Sequence, residues 1–355
     1  MKLLLINPGS TSTKFGVWEN GQPVFTETIR HESVFDDLPD LISQRPFREA
    51  LILEALAGRG IDPASMDAVV GRGGLLHPLD GGVYEVNQDM IDDLSACRYG
   101  RHASNLGGII AWGIAQKAGL KAYIADPVIV DELEEPARFS GYPGISRQSI
   151  FHALNQKAVA RRYAREAGKS YTQLNLIVAH LGGGISIGAH SGGRVIDVNN
   201  ALGGDGPFSP ERAGGLPVFQ ILEICSSGQY SLEELKKRLV GQGGLYAYLG
   251  TADAVEVDRR IADGDQEAEA VLGAMAYQIA KEVGATAAVL SGQVDAVIIT
   301  GGLAYDTWLV DRLTARVRFI APVVVYPGED ELAALAQTVG DGLAGLLPIH
   351  QYRKE

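Results

Sequence analysis

Short runs of apolar residues alternate along the chain with longer segments in which apolar residues recur every three or four positions. This alternation is typical of α/β proteins, because buried strands are short and continuous whereas helices bury one stripe. The pattern predicts strands over Lys2–Ile6, Lys14–Glu19, Pro23–Ile29, Ala68–Gly71, Lys121–Ala125, Leu174–Ala179, Ile185–Ala189, Val195–Val198, Ala296–Thr300 and Val323–Tyr326. It predicts helices over Arg45–Ala57, Asn105–Ala118, Ser149–Arg165, Ser231–Leu239, Gln266–Leu290 and Glu329–Leu346.

A strand, a glycine-containing turn and two further strands occur twice, half a chain apart. The first copy places Asn7 at the end of its first strand and Gly16 in its second, and the second copy places His180 and Gly188 there. The offset is 173 residues for the first pair and 172 for the second. This repeat predicts two similar α/β domains that face each other. The alternative is that glycine turns recur by chance in a glycine-rich chain.

A third glycine turn, Gly301-Gly302, follows the predicted strand Ala296–Thr300 and precedes a helical segment that begins near Thr307. A strand that runs into two glycines and then a helix lets a nucleotide approach the backbone closely. The turn alone is a weak signal, and its weight comes from the presence of three such turns in one chain.

Composition narrows the class of protein. The chain has 355 residues with Lys+Arg 31 and Asp+Glu 43, a net charge of −12, and no long basic run, which argues against nucleic acid as a partner. Its length predicts two domains, and 46% hydrophobic residues predict a globular protein. The cysteines, Cys97 and Cys225, exclude a disulfide framework and fit the cytoplasm. The apolar runs are too short for a membrane span, and the first one is too short for a signal peptide. There are 44 glycines, against about 25 expected at average usage, and this excess favours phosphate binding by backbone.

Eight segments in chain order resemble the acetate kinase family, and most closely its butyrate kinase branch. They are INPGSTSTK (6–14), VGRGG (70–74), ADP (125–127), IFHALN (150–155), HLGGGIS (180–186), FSPERAG (208–214), ITGGL (299–303) and YPGEDEL (326–332). The chain departs from acetate kinases in being shorter, in having Pro8 in place of an alanine, and in having Gly73-Gly74 after Arg72 in place of a valine pair. These departures are typical of butyrate kinases.

The resemblance implies a fold of two duplicated actin-like (ribonuclease H-like) α/β domains with an active-site cleft between them. We expect an N-terminal domain of residues 1–147 that regains a C-terminal helix at 329–355, and a nucleotide-binding domain of residues 148–328. The implied activity is reversible, ATP-dependent phosphorylation of a short-chain fatty acid, butyrate or isobutyrate, to its acyl phosphate. The resemblance further implies Mg²⁺ with ATP, a cytoplasmic location and a homo-oligomer, a dimer or larger.

Three of the motifs are expected to bind the nucleotide phosphates. Turns rich in amide N–H groups and hydroxyls hold phosphate oxygens without needing a net charge, although an ordinary hairpin turn has the same composition. By resemblance, the nucleotide- and phosphate-binding residues are Ser10, Ser12, Lys14, His180, Gly182, Gly183, Gly184, Gly301 and Gly302.

The acid substrate and the metal are assigned to residues at predicted strand and helix ends. By resemblance, Arg72 binds the carboxylate, while Gly74 and Phe151 adjoin the acyl group; a glycine at 74 is expected to leave space for two or three more methylenes. Asn7 is expected to help hold Mg²⁺, mainly through waters, together with one acid of Glu329, Asp330 and Glu331, of which we favour Glu331.

Three catalytic residues are implied by the same motifs. Asp126 ends a predicted strand, where ligands bind in α/β sheets, and is expected to orient the acid or a metal-bound water. His152 and Arg212 are expected to donate hydrogen bonds to the phosphoryl group in flight, whose charge lies on its equatorial oxygens. A lone histidine in an apolar segment is otherwise a satisfied core residue.

Two other functions stay open. One is a kinase of the same type that prefers acetate or propionate, which would differ only in the size of the acyl pocket. The other is an actin-like or chaperone-like ATPase without a carboxylate acceptor, because a fold alone does not fix an activity.

Overall fold

A computed structural model of the chain describes residues 1–31 and 41–355, which form a mixed α/β fold with two sheets. The strands are β1 (Lys2–Pro8), β2 (Ser12–Glu19), β3 (Gln22–Arg30), β4 (Ala68–Arg72), β5 (Val83–Glu85), β6 (Ala122–Ala125), β7 (Leu176–Leu181), β8 (Ile185–Ser191), β9 (Arg194–Val198), β10 (Ala296–Gly301), β11 (Val323–Pro327) and β12 (Ile349–Gln351). The α-helices are α1 (Arg45–Ala57), α2 (Gln88–Ser95), α3 (Asn105–Ala118), α4 (Ala153–Glu166), α5 (Val218–Ser227), α6 (Leu232–Leu239), α7 (Gly244–Leu249), α8 (Ala254–Ala262), α9 (Gln266–Val289), α10 (Thr307–Val317) and α11 (Glu331–Leu343). None of these helices is both long enough and apolar enough to cross a membrane.

The described residues divide into two compact units. Unit 1 contains Met1–Asp131 and Asp330–Glu355, and unit 2 contains Glu132–Glu329. Residues 132–147, which the sequence placed in the first domain, therefore group with unit 2. Two contacts account for this: the buried carboxylate of Glu132 pairs with Lys157 Nζ at 2.8 Å, and the Glu134 N–H donates to the Ile196 carbonyl at 2.9 Å.

The two sheets share one strand order. In unit 1 the sheet has seven strands, in the order β12-β5-β6-β4-β1-β2-β3, and in unit 2 it has five, in the order β11-β10-β7-β8-β9. In both, three consecutive antiparallel strands are followed across the sheet by two parallel ones. The repeat seen in the sequence is thus a repeat of topology, with β7–β9 corresponding to β1–β3.

Helices cover both faces of the unit 2 sheet. On one face α4 packs on Val178 and Ile298, and on the other α9 and α10 pack on Ala179 and Ile299. This explains why β7 is apolar without alternation, since every one of its residues is buried. Packing on both faces therefore fixes the strands, and with them the position of the residues that follow each strand.

Candidate functional site

The ends of three adjacent strands bring predicted site residues together in unit 1. Strand β1 pairs in parallel with β4, with Ile6 opposite Gly71, and β4 pairs in parallel with β6, with Arg72 opposite Ala125. The next residues along β1 and β6 are Asn7 and Asp126. All three candidate residues, Asn7, Arg72 and Asp126, therefore lie at the carboxyl edge of this sheet, where α/β proteins bind ligands.

The start of α11 adds Glu331 to this group. Arg72 Nη1 lies 2.7 Å from Glu331 Oε1 and 3.5 Å from Asn7 Oδ1, and Asn7 Nδ2 donates to Glu331 Oε2. The neighbouring acids have other partners: Asp330 caps α11 by accepting from the Ala333 N–H, and Glu329 lies 3.3 Å from His180 Nε2 in unit 2. The contacts thus place Glu331, of the three acids, beside Asn7.

Asp126 has an unusual backbone conformation. It lies directly after β6 with φ of +38°, a conformation that only a few per cent of residues other than glycine adopt. Its backbone N–H donates to the Gly82 carbonyl at 2.9 Å, and its Oδ1 accepts from the Gly82 N–H at 2.7 Å. Strained conformations cluster at functional sites because the surrounding structure must hold them in place. The residue is 1% exposed, and the hydrogen bond from Gly82 orients its carboxylate.

A buried arginine that the sequence analysis missed fixes the turn between β1 and β2, which is predicted to bind phosphate. Arg48 of α1 is 0% exposed; its Nη2 donates to the Gly9 and Ser10 carbonyls at 2.9 and 3.2 Å, and its Nη1 donates to the Ser12 carbonyl at 2.7 Å. Within the turn the Gly9 N–H donates to the Ser12 carbonyl at 2.8 Å. The guanidinium thus binds carbonyl oxygens of the turn and fixes its shape. A sequence signal existed, since Arg48 precedes the buried Ile52 at the four-residue spacing of the apolar face of α1.

Lys14 lies opposite Asn7 in the antiparallel pair of β1 and β2. Residues directly opposite each other share a face of the sheet, so Lys14 adds a positive charge beside the Asn7, Arg72 and Glu331 group. Ser10 is exposed and Ser12 is half-buried in the turn between these strands.

His102 is a second residue that the sequence analysis passed over. It precedes α3, and its Nδ1 lies 2.8 Å from Ser104 Oγ and accepts from the Ser104 N–H at 3.2 Å. Desolvation lowers the pKa of His102, and the nearby Arg72 guanidinium lowers it further. Both effects favour the neutral ring, so His102 is a neutral hydrogen-bonding side chain close to Arg72 and a further candidate for the acid site. Its position in a polar run just before a glycine-containing helix was the available signal.

The glycine pair after Arg72 does not leave the open space that the sequence suggested. A Cβ at Gly74 would lie 2.6 Å from Asn105 Cα and 2.8 Å from Leu94 Cδ2, and a Cβ at Gly73 would lie 2.5 Å from Pro127 Cβ. The volume that a side chain would occupy is already filled by α3, α2 and the segment after β6. The expectation that Gly74 frees room for methylenes is therefore wrong at this position, because the glycine serves close packing.

Substitution of Gly74 should consequently reduce stability. We expect Gly74→Ala to lower the free energy of unfolding by about 1–3 kcal/mol, the usual cost of overpacking. The matched control is Gly284→Ala in α9, where a Cβ would meet nothing within 4 Å and where alanine is the better helix former. Urea denaturation of both variants measures the difference. Equal midpoints for the two variants would contradict the packing explanation.

In unit 2 the second and third glycine turns lie at the ends of adjacent strands. Strand β7 pairs in parallel with β10, with His180 opposite Thr300, so that Gly182–Gly184 and Gly301 follow neighbouring strand ends. Gly301 has φ of +91°, and a Cβ there would lie 2.3 Å from the Leu181 carbonyl oxygen, whereas a Cβ at Gly302 would meet nothing within 4 Å. Gly301 is required for the close approach of the β10 and β7 backbones. The space beside Gly302 is open.

The two candidate histidines of unit 2 form a stacked pair. The rings of His152 and His180 lie 3.7 Å apart at an angle of 10°. His180 Nδ1 lies 2.7 Å from Asn155 Oδ1, and His152 Nδ1 lies 2.8 Å from Ser186 Oγ. The predicted helix over Ser149–Arg165 begins later than expected, at Ala153, so His152 occupies its N-cap instead of its interior. The structure thus brings together two histidines that the sequence had placed 28 residues apart.

Arg212 lies against the turn at Gly182–Gly184. A Cβ at Gly184 would lie 1.8 Å from Arg212 Nη1, so this glycine is required for the guanidinium to occupy its position. Nη1 also donates to the Ala201 carbonyl, and the Ser209 hydroxyl donates to the Gly183 carbonyl at 2.6 Å. Burial lowers the pKa of Arg212, although Glu211 opposes the shift. Arg212 thus presents a desolvated charge beside backbone that can bind phosphate.

Phe151 is 2% exposed and belongs to the largest fully buried side chains of the described residues. It is one of the buried residues of unit 2. Its proposed place beside the acyl group stays a prediction.

A pair of carboxylic acids near the third glycine turn should make stability depend on pH. Burial, the largest cause, and the nearby Asp258 raise the pKa of Asp306 to about 6; Asp306 caps α10 by accepting from the Leu309 N–H at 2.9 Å. In an unfolded chain the pKa of an Asp side chain is about 3.9. The stability that the protonated form contributes is therefore complete below about pH 4, is lost as the pH rises towards 6, and is absent above that.

We expect Asp306→Asn to remove this loss while keeping the helix cap, since asparagine caps as well as aspartate. The variant should be about 1–2 kcal/mol more stable than the wild type at pH 8 and no more stable at pH 4. Thermal or urea unfolding at the two pH values measures this. Asp258→Asn should give a smaller gain, because it removes only the repulsion and leaves the larger cost of burying the Asp306 charge. A gain at pH 4 as large as at pH 8 would contradict the explanation.

Comparison with known proteins gives the following relatives. A profile described as "Acetokinase family" matches residues 136–320. The chain is similar in structure to the acetate kinase of Porphyromonas gingivalis, with a TM-score of 0.78 and 20% identity over 96% of this chain and 99% of that one. It is similar also to a propionate kinase from Francisella tularensis (TM-score 0.76, 19% identity, 96% and 99% covered) and to the acetate kinase of Entamoeba histolytica (TM-score 0.76, 17% identity, 96% and 99% covered). These likenesses confirm the predicted actin-like α/β fold.

Proposed function

Because the chain belongs to the acetokinase family of carboxylate kinases, we propose that its substrate is a four-carbon acid, butyrate or isobutyrate, which it phosphorylates reversibly with ATP. The observation that carries this proposal is the glycine pair after Arg72. Gly73 and Gly74 follow Arg72 directly in the sequence, and the acetate kinases that the chain resembles have a valine pair there. Because the volume that a side chain would occupy at Gly73 and Gly74 is already filled, the pair supports the proposal as a motif typical of butyrate kinases and not as added room in the site.

The residues of unit 1 are suited to bind the acid. A guanidinium and a carboxylate form two parallel hydrogen bonds, and Arg72 lies at the carboxyl edge of the sheet in unit 1. Asp126 follows β6, the strand that pairs with β4, and it would orient the acid beside Arg72. A general base is unnecessary, since a short-chain fatty acid is already ionised at pH 7 and needs no proton removed before attack.

The residues of unit 2 are suited to bind the phosphates. His180 and the glycines at 182–184 and 301–302 present backbone at strand ends, and Arg212 and His152 supply donors to the transferred group. Phosphoryl transfer proceeds through a loose transition state with charge on the equatorial oxygens, so fixed donors of this kind are its main stabilisation. The sequence also predicted that the second domain binds the nucleotide. We therefore propose that unit 1 binds the acid and unit 2 binds the phosphates.

The donor set in unit 1 fits Mg²⁺. Asn7 and Glu331 offer amide and carboxylate oxygens, the hard ligands that Mg²⁺ prefers. When bound with ATP, the metal would neutralise charge on the phosphates. In the present arrangement Arg72 occupies Glu331 Oε1, so the guanidinium and a cation would compete for the same carboxylate.

The test is a hydroxylamine-trapping assay with Mg-ATP and straight and branched acids of increasing length. Each buried methylene contributes about 0.8 kcal/mol, so butyrate should exceed acetate in kcat/KM by roughly 15-fold. We expect the optimum at butyrate or isobutyrate. An optimum at acetate or propionate would contradict the four-carbon proposal and leave carboxylate kinase activity in place. ATP hydrolysis that no acid stimulates would instead favour the actin-like ATPase.

A further inference from the structure

A continuous row of hydrogen-bonded side chains extends behind His152 within unit 2. From the far end, Tyr171 Oη lies 2.7 Å from His190 Nδ1, His190 Nε2 lies 3.0 Å from Gln156 Oε1, Gln156 Nε2 lies 2.8 Å from Ser186 Oγ, and Ser186 Oγ lies 2.8 Å from His152 Nδ1. Ser186, Gln156 and His190 are all 0% exposed. The row occupies the interior between α4 and β8, and no proposed step of the reaction uses it.

One backbone atom fixes the direction of the hydrogen bonds that Gln156 makes. Gln156 Nε2 lies 3.0 Å from the Ser186 carbonyl oxygen, which can only accept. The amide of Gln156 must therefore turn its NH₂ group towards Ser186, because the opposite orientation would place two acceptors against each other. Its second N–H then donates to Ser186 Oγ, and its Oε1 is left to accept from His190.

On one side of Gln156 this direction determines the state of His190. Since Gln156 Oε1 accepts, His190 Nε2 carries a proton. Complete burial, with Lys157 and Arg161 nearby, holds the pKa of His190 well below its usual value, so the ring is neutral and Nδ1 is without a proton. Nδ1 then accepts from the Tyr171 hydroxyl. Gly188 makes the arrangement sterically feasible, as a Cβ there would lie 2.6 Å from Gln156 Oε1.

On the other side of Gln156, the orientation of its amide affects the hydrogen bond between Ser186 and His152. Because Ser186 Oγ accepts from Gln156, its own proton is available to His152 Nδ1. We propose that Ser186 and Gln156 are positioning residues that hold His152 as the neutral tautomer with its proton on Nε2. The row thus presents a fixed N–H donor in place of a ring that exchanges between two tautomers.

This inference deepens the proposed function, and its catalytic meaning rests on the role proposed there for His152. A donor to the phosphoryl group must have its proton on the nitrogen that faces the group. The stack with His180 favours neutrality of His152, since acceptors face both nitrogens of His180: Asn155 Oδ1 at 2.7 Å and the Glu329 carboxylate at 3.3 Å. A positive charge in the stack is accordingly better stabilised on His180, and two charged rings 3.7 Å apart would repel.

The first experiment measures the tautomer directly in the full-length wild type. Long-range proton–nitrogen NMR of protein labelled with ¹⁵N-histidine shows which ring nitrogen of each of the 7 histidines carries the proton, and a spectrum of His152→Gln identifies the signals of His152. We expect Nε2–H for both His152 and His190. An Nδ1–H tautomer of His152 in the wild type would overturn the inference without any variant at positions in the row.

Two variants then separate positioning from general structural support. Ser186→Ala removes the donor to His152 Nδ1, so the His152 signals should shift towards a mixture of tautomers and kcat should fall about fivefold, with KM for ATP and acid within about twofold. Tyr171→Phe is the matched control: it removes a hydroxyl from the same row, yet the carbonyl of Ser186 still fixes Gln156. It should leave the His152 tautomer and kcat unchanged.

The outcomes distinguish the inference from the proposed function. A wild type with His152 as the Nε2–H tautomer but without acid-dependent activity would remove the function and leave the positioning network standing. Acid kinase activity with an unchanged tautomer in Ser186→Ala would overturn the network and leave the function. A fall in kcat for Tyr171→Phe equal to that for Ser186→Ala would also contradict the inference, because the row would then act only through packing.

Discussion

Replacing Arg212 by alanine is expected to lower kcat for acyl phosphate formation by about 10²–10³-fold. The reason is that a loose phosphoryl-transfer transition state is stabilised mainly by fixed donors, and a desolvated guanidinium beside the Gly182–Gly184 turn is such a donor. Steady-state kinetics with Mg-ATP and butyrate measures kcat, and calorimetry with ADP measures nucleotide binding separately.

The structure also supplies the competing explanation, that Arg212 only supports the turn. Its Nη1 packs where a Gly184 Cβ would lie and donates to the Ala201 carbonyl. If that support were its main role, Arg212→Ala would weaken ADP binding by about as much as it lowers kcat. Arg212→Lys is the matched variant, because it keeps the charge but not the planar fork of donors. Substantial recovery of ADP binding without recovery of kcat would fit the catalytic role.

The sequence predicted the central strands and helices well because their burial is continuous. The predicted bounds of α1 and α3 agree with the structure, and each of the ten predicted strands is present. The strands that were missed, β5 and β12, have three residues each and lie beyond the central strands of the sheet, where no long apolar run marks them. Helix α5 was missed because it buries none of its residues, so it carries no apolar stripe facing a core.

The site shows a different limit. The motifs identified Asn7, Arg72, Asp126 and Glu331 as candidate site residues. In the structure, the sheet register and the start of α11 bring these residues to one edge of unit 1. Their roles stay predictions. Their proximity follows from the strand order of the sheet, which the repeat in the sequence helps to predict. The sequence could not predict the contacts that buried polar side chains make or how tightly the chain packs around Gly74. The binding of Arg48 to three carbonyls and the filled space at Gly74 depend on packing across elements distant in the chain.

The second large effect is expected for Arg72→Ala, which should lower kcat/KM for the acid by roughly 30- to 200-fold, mostly through KM. Loss of one partner of a charged hydrogen-bonded pair costs about 2–5 kcal/mol, and the partial exposure of Arg72 favours the lower part of that range. KM for ATP should change little. The measurement is a pair of saturation curves, one for butyrate at fixed Mg-ATP and one for ATP at fixed butyrate.

The ion pair with Glu331 makes a second explanation testable in the same experiment. If Arg72 served mainly to hold Glu331, then Glu331→Gln should reproduce the loss in acid KM, and the double variant should be no worse than either single one. If Arg72 binds the acid, Glu331→Gln should instead raise the Mg²⁺ requirement while leaving the acid KM near that of the wild type. It should even favour acid binding modestly, because the guanidinium is then released from a competing carboxylate. Equal effects of Arg72→Ala on the two KM values would place this arginine outside the acid site.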